Sequence, residues 1–242
     1  MTVSPLTDIT MLSPHSGGIR GKIDRITPHC VVGQASAESI GYWFQKPRPV
    51  HSCNYGIGND GRIICCLPEE YQSYCSSSGQ NDSRAITIEC ASDTFDPYAM
   101  TGEVIDALIN LCIDICKRYN KTRLLWISNK EAALNYQPKP CEMLFTVHRW
   151  FAPDGRSCPG DFLYNKLGEI AEIVNQALED SSMYYEEISD IPEWARPTIQ
   201  KLIDHQALQG DGAGLHLSLD MVRNFVILDR MGVLDIGKNI VD

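Results

Sequence analysis

Apolar residues recur at helical spacing in two long segments of the chain. They fall every three or four residues from Gly102 to Tyr119 and again from Phe162 to Leu178, and this spacing places them on one face of a helix. Ala37 to Phe44 can form a shorter helix. Two cysteines belong to the apolar face of the first helix, and we interpret them as part of its packing stripe. That face consists of Val104, Ile105, Leu108, Ile109, Cys112, Ile115 and Cys116.

Shorter apolar runs between these helices predict β-strands. An Asp60-Gly61 pair lies between two of the runs and indicates a tight hairpin turn. Pro28 interrupts the first run and cannot donate to a sheet ladder, so we expect that strand end at an edge or a bulge. Strands mixed with helices predict an α/β fold, with a mixed central sheet flanked by helices. The predicted strands are Ile23–Val32, Asn54–Ile57, Arg62–Leu67, Arg84–Cys90 and Leu124–Ser128.

The pattern changes near residue 180. Glu179 to Ser189 is polar and acidic, and the residues after it return to helical spacing. Asp190 and Glu193 make a capping-box pattern for one helix, and Ser218 can cap a second. Three parts are therefore predicted: a first domain over residues 1–180, a linker over 181–189 and a small all-helical module over 190–242.

Composition and charge narrow the classes of partner. The 242 residues are 43% hydrophobic and carry a formal net charge of -10, so the chain can build a core and is a poor partner for nucleic acid. The first residues show no basic start followed by an apolar run, and no apolar stretch is long enough to span a bilayer. We expect a protein without a membrane span, made in the cytoplasm without a signal peptide.

The thiols and imidazoles are the residues that could carry chemistry. Ten cysteines form an even number, which makes a disulfide-rich secreted binder one interpretation; the adequate core size argues against it, and a free-thiol count would separate the two. His29, His148 and Cys158 could together make a three-ligand zinc site with one open position. By spacing alone, each could equally be a strand cap, a hydrogen-bonded core histidine or a buried thiol.

Several short motifs occur in a fixed order along the first domain. They are Ile26-Thr-Pro-His29, Asn54-Tyr-Gly-Ile-Gly-Asn-Asp-Gly61, Asn81-Asp-Ser-Arg-Ala-Ile86, Ile86-Thr-Ile-Glu89 and His148-Arg-Trp-Phe-Ala with Cys158-Pro-Gly-Asp161. Over about Lys22 to Leu178, these motifs resemble the zinc amidases of the lysozyme-like phage amidase and peptidoglycan recognition protein family. The resemblance implies zinc-dependent hydrolysis of the amide bond between N-acetylmuramic acid and L-alanine in peptidoglycan, as in a phage or prophage endolysin or a bacterial autolysin.

The resemblance also implies which residues hold the metal and stabilise charge. It implies that His29, His148 and Cys158 bind Zn²⁺. Arg156 matches a position where relatives often carry a basic residue thought to stabilise an oxyanion, and an arginine can supply charge there without a proton. A solvated loop arginine is the alternative for Arg156.

Glu89 is the expected catalytic acid/base. It stands on a mostly apolar strand, where a carboxylate is costly unless it has a function or a partner. In the family, the matching acid takes a proton from the zinc-bound water, and burial would raise its pKa towards the useful range. A structural ion pair with Arg84 or Arg149 is the alternative. Cys53 falls near the place where some relatives use a catalytic tyrosine, so we expect this chain to rely on Glu89.

Peptidoglycan is thus the expected partner, reached after holin-dependent or lysis-dependent release. The alternative from another class is a non-catalytic peptidoglycan-binding protein on the same fold, which a missing ligand would favour; all three expected ligands are present. The C-terminal module resembles, more loosely, short helical modules of clostridial and phage wall-active proteins. Wall binding, homodimer formation and structural packing are all open for it.

Overall fold

A computed structural model of the protein describes residues 2–182, 184–212 and 214–234. The chain divides into two compact units, with the division between Gln176 and Ala177. Within the described residues, no helix has both the length and the apolar character that a membrane span requires. All ten cysteines lie in the described part of the chain, and each is a free thiol.

A seven-stranded sheet forms the centre of the first unit. Its strands are β1 (Ile9–Thr10), β2 (Arg25–Val32), β3 (Tyr55–Ile57), β4 (Ile63–Cys65), β5 (Ala85–Ser92), β6 (Arg123–Leu125) and β7 (Glu142–Phe145). They lie in the order β1-β4-β3-β5-β2-β7-β6. Only β3 and β4 run antiparallel, and the other neighbouring pairs are parallel. The β3–β4 hairpin turns at the predicted pair, where Gly61 has a φ of +81° that favours glycine.

Pro28 lies in β2, which has neighbours on both sides in the strand order. The pairing of β2 with β7 involves only Arg25 and Ile26, whereas its pairing with β5 runs over the whole strand, with Pro28 opposite Ile88. Because the β7 pairing ends at Ile26, β2 has a single neighbour at Pro28, and a missing N–H is tolerated where a strand has no second ladder.

Five α-helices belong to or begin in the first unit: α1 (Ala37–Phe44), α2 (Gly79–Asp82), α3 (Gly102–Arg118), α4 (Lys130–Asn135) and α5 (Gly160–Ser182). Ser36 and Thr101 cap α1 and α3 by accepting a backbone N–H three residues later, which satisfies a donor that the helix itself leaves free. The α/β prediction, with a mixed central sheet flanked by helices, is confirmed.

The inner face of α3 is the apolar stripe that its spacing predicts. Its buried residues include Cys112 and Cys116, both fully enclosed, so these thiols pack as small apolar groups. Helix α5 begins two residues before its predicted start and continues to Ser182 rather than Leu178. The polar run after Leu178 therefore starts as helix, because no glycine or proline ends α5 there.

The second unit has a small core of its own. Its helices are α6 (Arg196–Asp204) and α7 (Leu219–Arg230), and a two-stranded antiparallel ladder joins β8 (Tyr184–Tyr185) to β9 (Leu217–Ser218). Ser218 caps α7 as predicted. The helix expected from the capping box at Asp190 begins instead at Arg196, with Pro197 in its first turn, since proline favours the start of a helix. The core consists of Tyr185, Ile191, Ala195, Ile199, Leu202, Leu217, Val222 and Val226.

Candidate metal centre and active site

Two neighbouring strands place the first pair of chemical groups. His29 on β2 and Glu89 on β5 are direct partners in the parallel ladder, so their side chains project from the same face of the sheet. His29 is 1% exposed. Most of the residues around this pair in β2 and β5 are buried, so the register of the sheet fixes the separation of the two groups.

The segment after β7 adds the second imidazole and a thiol. His148 begins a single 3₁₀ turn, His148–Trp150, directly after β7. Its ring lies 5.1 Å from the His29 ring between centroids. The Cys158 Sγ lies 3.4 Å from the His29 Nδ1. The Arg149 backbone N–H donates to the Cys158 carbonyl over 2.9 Å, which holds the loop that carries this thiol against the 3₁₀ turn.

These three side chains have the properties of a metal-binding group. One ligand atom from each of His29, His148 and Cys158 lies within 4.8 Å of the others. The His29 Nε2 is buried without a hydrogen-bond partner, a costly state that binding of a cation by this ring offsets. Burial lowers the pKa of both histidines, so the rings are neutral, as ligands must be. Two imidazoles and one thiol are a donor set that suits zinc.

Glu89 meets the requirements of a proton acceptor. Burial raises its pKa to about 7, which is close to the optimum for general base catalysis at neutral pH. The only hydrogen bond of its carboxylate among the described residues comes from the Cys75 thiol, which donates to Oε1 over 3.5 Å.

The ion-pair alternative for Glu89 does not match the geometry. Arg84 binds Asp24 through two hydrogen bonds of 2.9 and 2.5 Å, and Arg149 binds Asp161 over 2.9 Å. Both arginines that were candidates for Glu89 are thus paired with other carboxylates.

Arg156 lies at the mouth of the site. It lines the same cavity as His148 and Cys158, and its exposed guanidinium pairs with Asp154 over 2.7 Å. The cation lies near enough to His148 to contribute to the lowering of that histidine's pKa, after burial. Because the Arg156 guanidinium is exposed and lines the cavity, it can contact a substrate bound there. Its only ion pair among the described residues is with Asp154, two positions earlier.

The site opens into a cavity of about 610 Å³, within the usual range for a ligand pocket. Its lining includes the large aromatic side chains of Trp43, Phe44 and Tyr74, of which Trp43 and Tyr74 are 48% and 41% exposed. The three candidate ligands and Glu89 line the same cavity. The lining thus combines polar, reactive groups with apolar surface, which suits a substrate that has a polar bond to be cut and a bulky body.

Sequence reasoning missed two polar neighbours of the site. Cys75 lies beside Glu89, and Ser77 Oγ lies 2.9 Å from the His148 Nε2. Both follow β4 in a loop without a periodic pattern, so nothing in their spacing distinguished them from other small residues. Cys53, by contrast, is fully buried and is absent from the residues that line the cavity.

A half-buried carboxylate beside a His–His–Cys group, all lining one cavity on an α/β sheet, has the composition of a hydrolase site. The chain belongs to the N-acetylmuramoyl-L-alanine amidase family, whose model matches residues 20–161. Its activity is accordingly that of an N-acetylmuramoyl-L-alanine amidase, and its substrate class is peptidoglycan. The matched segment contains His29, Glu89, His148 and Cys158.

Solved structures share the fold. A mutant endolysin from Bacillus subtilis is 15% identical with a TM-score of 0.50, over 69% of this chain and 99% of that one. The Staphylococcus aureus hydrolase AmiA, in complex with its ligand, is 15% identical with a TM-score of 0.50, over 73% and 84%. A selenomethionine derivative of AmpD is 16% identical with a TM-score of 0.50, over 74% and 98%. No curated protein sequence matches the chain.

Proposed function

We propose that the chain cleaves its amide bond with a zinc ion held by His29, His148 and Cys158. The observation that carries the proposal is the convergence of these three ligand atoms within 4.8 Å, with a buried His29 Nε2 that has no other partner. Three protein ligands and one open position are the composition of a catalytic zinc site, whereas structural sites use four. When bound, zinc polarises a carbonyl and lowers the pKa of water.

Glu89 moves the proton in this proposal. Its carboxylate accepts a proton from the attacking water, whose oxygen forms the new bond to the carbonyl carbon. The same carboxyl group then donates that proton to the leaving nitrogen of L-alanine as the carbon–nitrogen bond breaks. A pKa of about 7 serves both steps, because the group is a competent base before the attack and a competent acid after it.

Arg156 has a separate role in the proposal. Negative charge develops on the carbonyl oxygen during the attack, and a guanidinium at the mouth of the cavity stabilises it without giving up a proton. The ion pair with Asp154 keeps the side chain over the loop that carries Cys158. Because both groups are exposed, this pair costs little to rearrange when substrate enters.

The experiment is product analysis on purified cell walls, combined with the metal content of the protein. We expect new L-alanine amino termini without new reducing sugars, and about one zinc per chain, because the site supplies one set of three ligands. Cys158→Ser is expected to lose the activity and to bind zinc less tightly, whereas Cys141→Ser, at an exposed thiol, is the matched control and should keep native activity and zinc affinity. New reducing sugars, or full activity in metal-free protein, would contradict the proposal.

The two parts of the chain have different roles in the proposal. We propose that residues 1–180 carry out catalysis and that 190–242 form an appended module for wall binding or homodimer formation. In support, each residue of the proposed chemistry lies in the first compact unit, and the second unit has a separate apolar core. The truncation described in the Discussion distinguishes wall binding from structural support.

A further inference from the structure

A second set of metal-ligand side chains shares His29. One ligand atom from each of His29, Cys75 and Glu89 lies within 4.8 Å of the others. The set contains an imidazole, a thiol and a carboxylate, all of which bind zinc and similar divalent cations. Neither Cys75 nor Glu89 belongs to the His29, His148 and Cys158 group.

The backbone holds this second set in place without any rearrangement. His29 and Glu89 are ladder partners on β2 and β5. Cys75 lies in the loop before α2, where its backbone N–H donates to the Asp82 Oδ2 over 3.0 Å. The next residue, Ser76, also binds Asp82 through its backbone N–H and its hydroxyl. These hydrogen bonds to a buried carboxylate fix the position of the Cys75 thiol next to Glu89.

Two further observations point to a cation rather than to a packing contact. The His29 Nε2 is buried and has no hydrogen-bond partner, and the residue as a whole is only 1% exposed. The Cys75 thiol donates to the Glu89 Oε1 over 3.5 Å, and the carboxylate has no other hydrogen bond within the described residues, so most of its acceptor capacity is unused. A divalent cation between the three side chains would satisfy the imidazole and the carboxylate together.

We propose that His29, Cys75 and Glu89 form an alternative, inhibitory position for a thiophilic divalent cation such as Zn²⁺ or Cd²⁺. The cation would displace the thiol proton to solvent and take the thiolate, the carboxylate and one imidazole nitrogen as ligands. Because His29 contributes to both sets, a cation in the second position competes with one in the first. Glu89 is then a ligand and cannot accept a proton, so a chain in this state is inactive.

The proposal shares Glu89 and His29 with the proposed function, so its test uses a readout that does not depend on catalysis. Full-length protein is freed of metal and titrated with Cd²⁺ while the ultraviolet charge-transfer band from thiolate to cadmium is followed. In native protein, Cys30, Cys75 and Cys158 all line the cavity. Cys158→Ser removes the thiol of the first position and leaves Cys75 and Cys30, and we expect this variant to keep a saturable band through Cys75 while it hydrolyses no peptidoglycan.

The decisive comparison is between two double variants. Cys75→Ser combined with Cys158→Ser should lose the saturable band, whereas Cys141→Ser combined with Cys158→Ser removes an exposed thiol and should keep it. Glu89→Gln combined with Cys158→Ser keeps every thiol of the second position and should need a higher Cd²⁺ concentration for half-saturation. Circular dichroism checks each fold, and the Glu89 variant decides the matter if the Cys75 variant does not fold.

An absent band in Cys158→Ser, or an equal band with and without Cys75, would overturn the proposal. So would equal half-saturation with and without the Glu89 carboxylate. Failure of the proposed function gives a different result: native protein would release no L-alanine amino termini, while the cadmium band of Cys158→Ser would persist. The two ideas can therefore fail independently.

Discussion

Replacement of Glu89 by glutamine tests the central step of the proposed mechanism. Glutamine has nearly the same shape and keeps an Oε1 that can accept from the Cys75 thiol, which lies 3.5 Å from that atom. It has no basic carboxylate, so proton acceptance is the property that the change removes. Neither Arg84 nor Arg149 pairs with Glu89, so the substitution breaks no ion pair with either and the fold should survive.

The expected loss follows from the work assigned to the carboxylate. General acid–base catalysis contributes about 10²- to 10⁴-fold to rate, which corresponds to about 3–5 kcal/mol of transition-state stabilisation. We expect kcat to fall by at least about a hundredfold, because Glu89 serves in both proton transfers. Zinc content should stay at the native level, since the glutamine variant retains His29, His148 and Cys158.

The assay is the rate of release of L-alanine amino termini from purified walls, with zinc measured on the same samples. Glu103→Gln, at an exposed position of α3, is the matched control and should show native rates. Loss of zinc from the Glu89 variant would make Glu89 a ligand in the working enzyme, and native activity would remove it from the mechanism. Either result refutes the assigned role.

The dependence of the rate on pH adds a second measurement to the same variant. Glu89 accepts a proton only when ionised, and burial places its pKa at about 7, so the native rate should rise with pH through this region. A bound cation lowers the pKa of a neighbouring carboxyl, so the midpoint is expected at or below about 7. The Gln variant should lack this limb of the profile.

Three further predictions address other parts of the molecule. Arg156→Ala should lower kcat by about tenfold, and Arg156→Lys should recover part of the loss. The expected loss is smaller than the roughly 10²- to 10³-fold caused by removal of a buried oxyanion donor, because the guanidinium is exposed. Equal rates for native protein and both variants would mean that Arg156 has no part in catalysis. Asp24→Asn should lower the free energy of unfolding, measured in urea, by about 2 kcal/mol. This is less than the roughly 3–5 kcal/mol lost when a fully buried ion pair is broken, because Arg84 is partly exposed. Burial raises the pKa of Asp24, but hydrogen bonds from Arg84 and Lys22 leave it below its ordinary value, so this difference should be present at neutral pH and vanish as the pH falls below about 4. A chain ending at Ser182, the last residue of α5, should cleave soluble muropeptides at a near-native rate and intact walls more slowly; equal loss on both substrates would mean that the second unit supports the first.

Much of the fold could be predicted because the relevant information is local. The spacing of apolar residues in α3 and the Asp60-Gly61 turn depend on neighbours within a few positions, and both are present in the structure. The limits of α5 and α6 could not be placed as well. Several helix-compatible polar residues follow Leu178, and Pro197 determines the start of α6 more strongly than the capping pattern at Asp190.

The residues of the candidate site could be predicted from local sequence, whereas their arrangement in space could not. His29, Glu89, His148 and Cys158 could be named because short motifs surround each of them, and the structure brings all four to one cavity. Their mutual geometry comes from the β2–β5 register and the turn after β7, which no local pattern encodes. Cys75 shows the limit: it was one of ten thiols in the sequence, and only the fold reveals that it touches Glu89.

The contact between Cys75 and Glu89 links the working state of the site to its proposed inhibited state. The thiol donates to the carboxylate over 3.5 Å, and this hydrogen bond opposes the rise in the Glu89 pKa that burial causes. The same adjacency gives a thiophilic cation a thiolate and a carboxylate beside the shared imidazole. In the two proposals taken together, this thiol lowers the pKa of the proposed base and also supplies the ligand through which a cation would bind that base. Cys75→Ser separates these effects, because serine retains a donor and is a poor ligand for soft cations: it should keep most of the activity while tolerating excess zinc better than the native chain does.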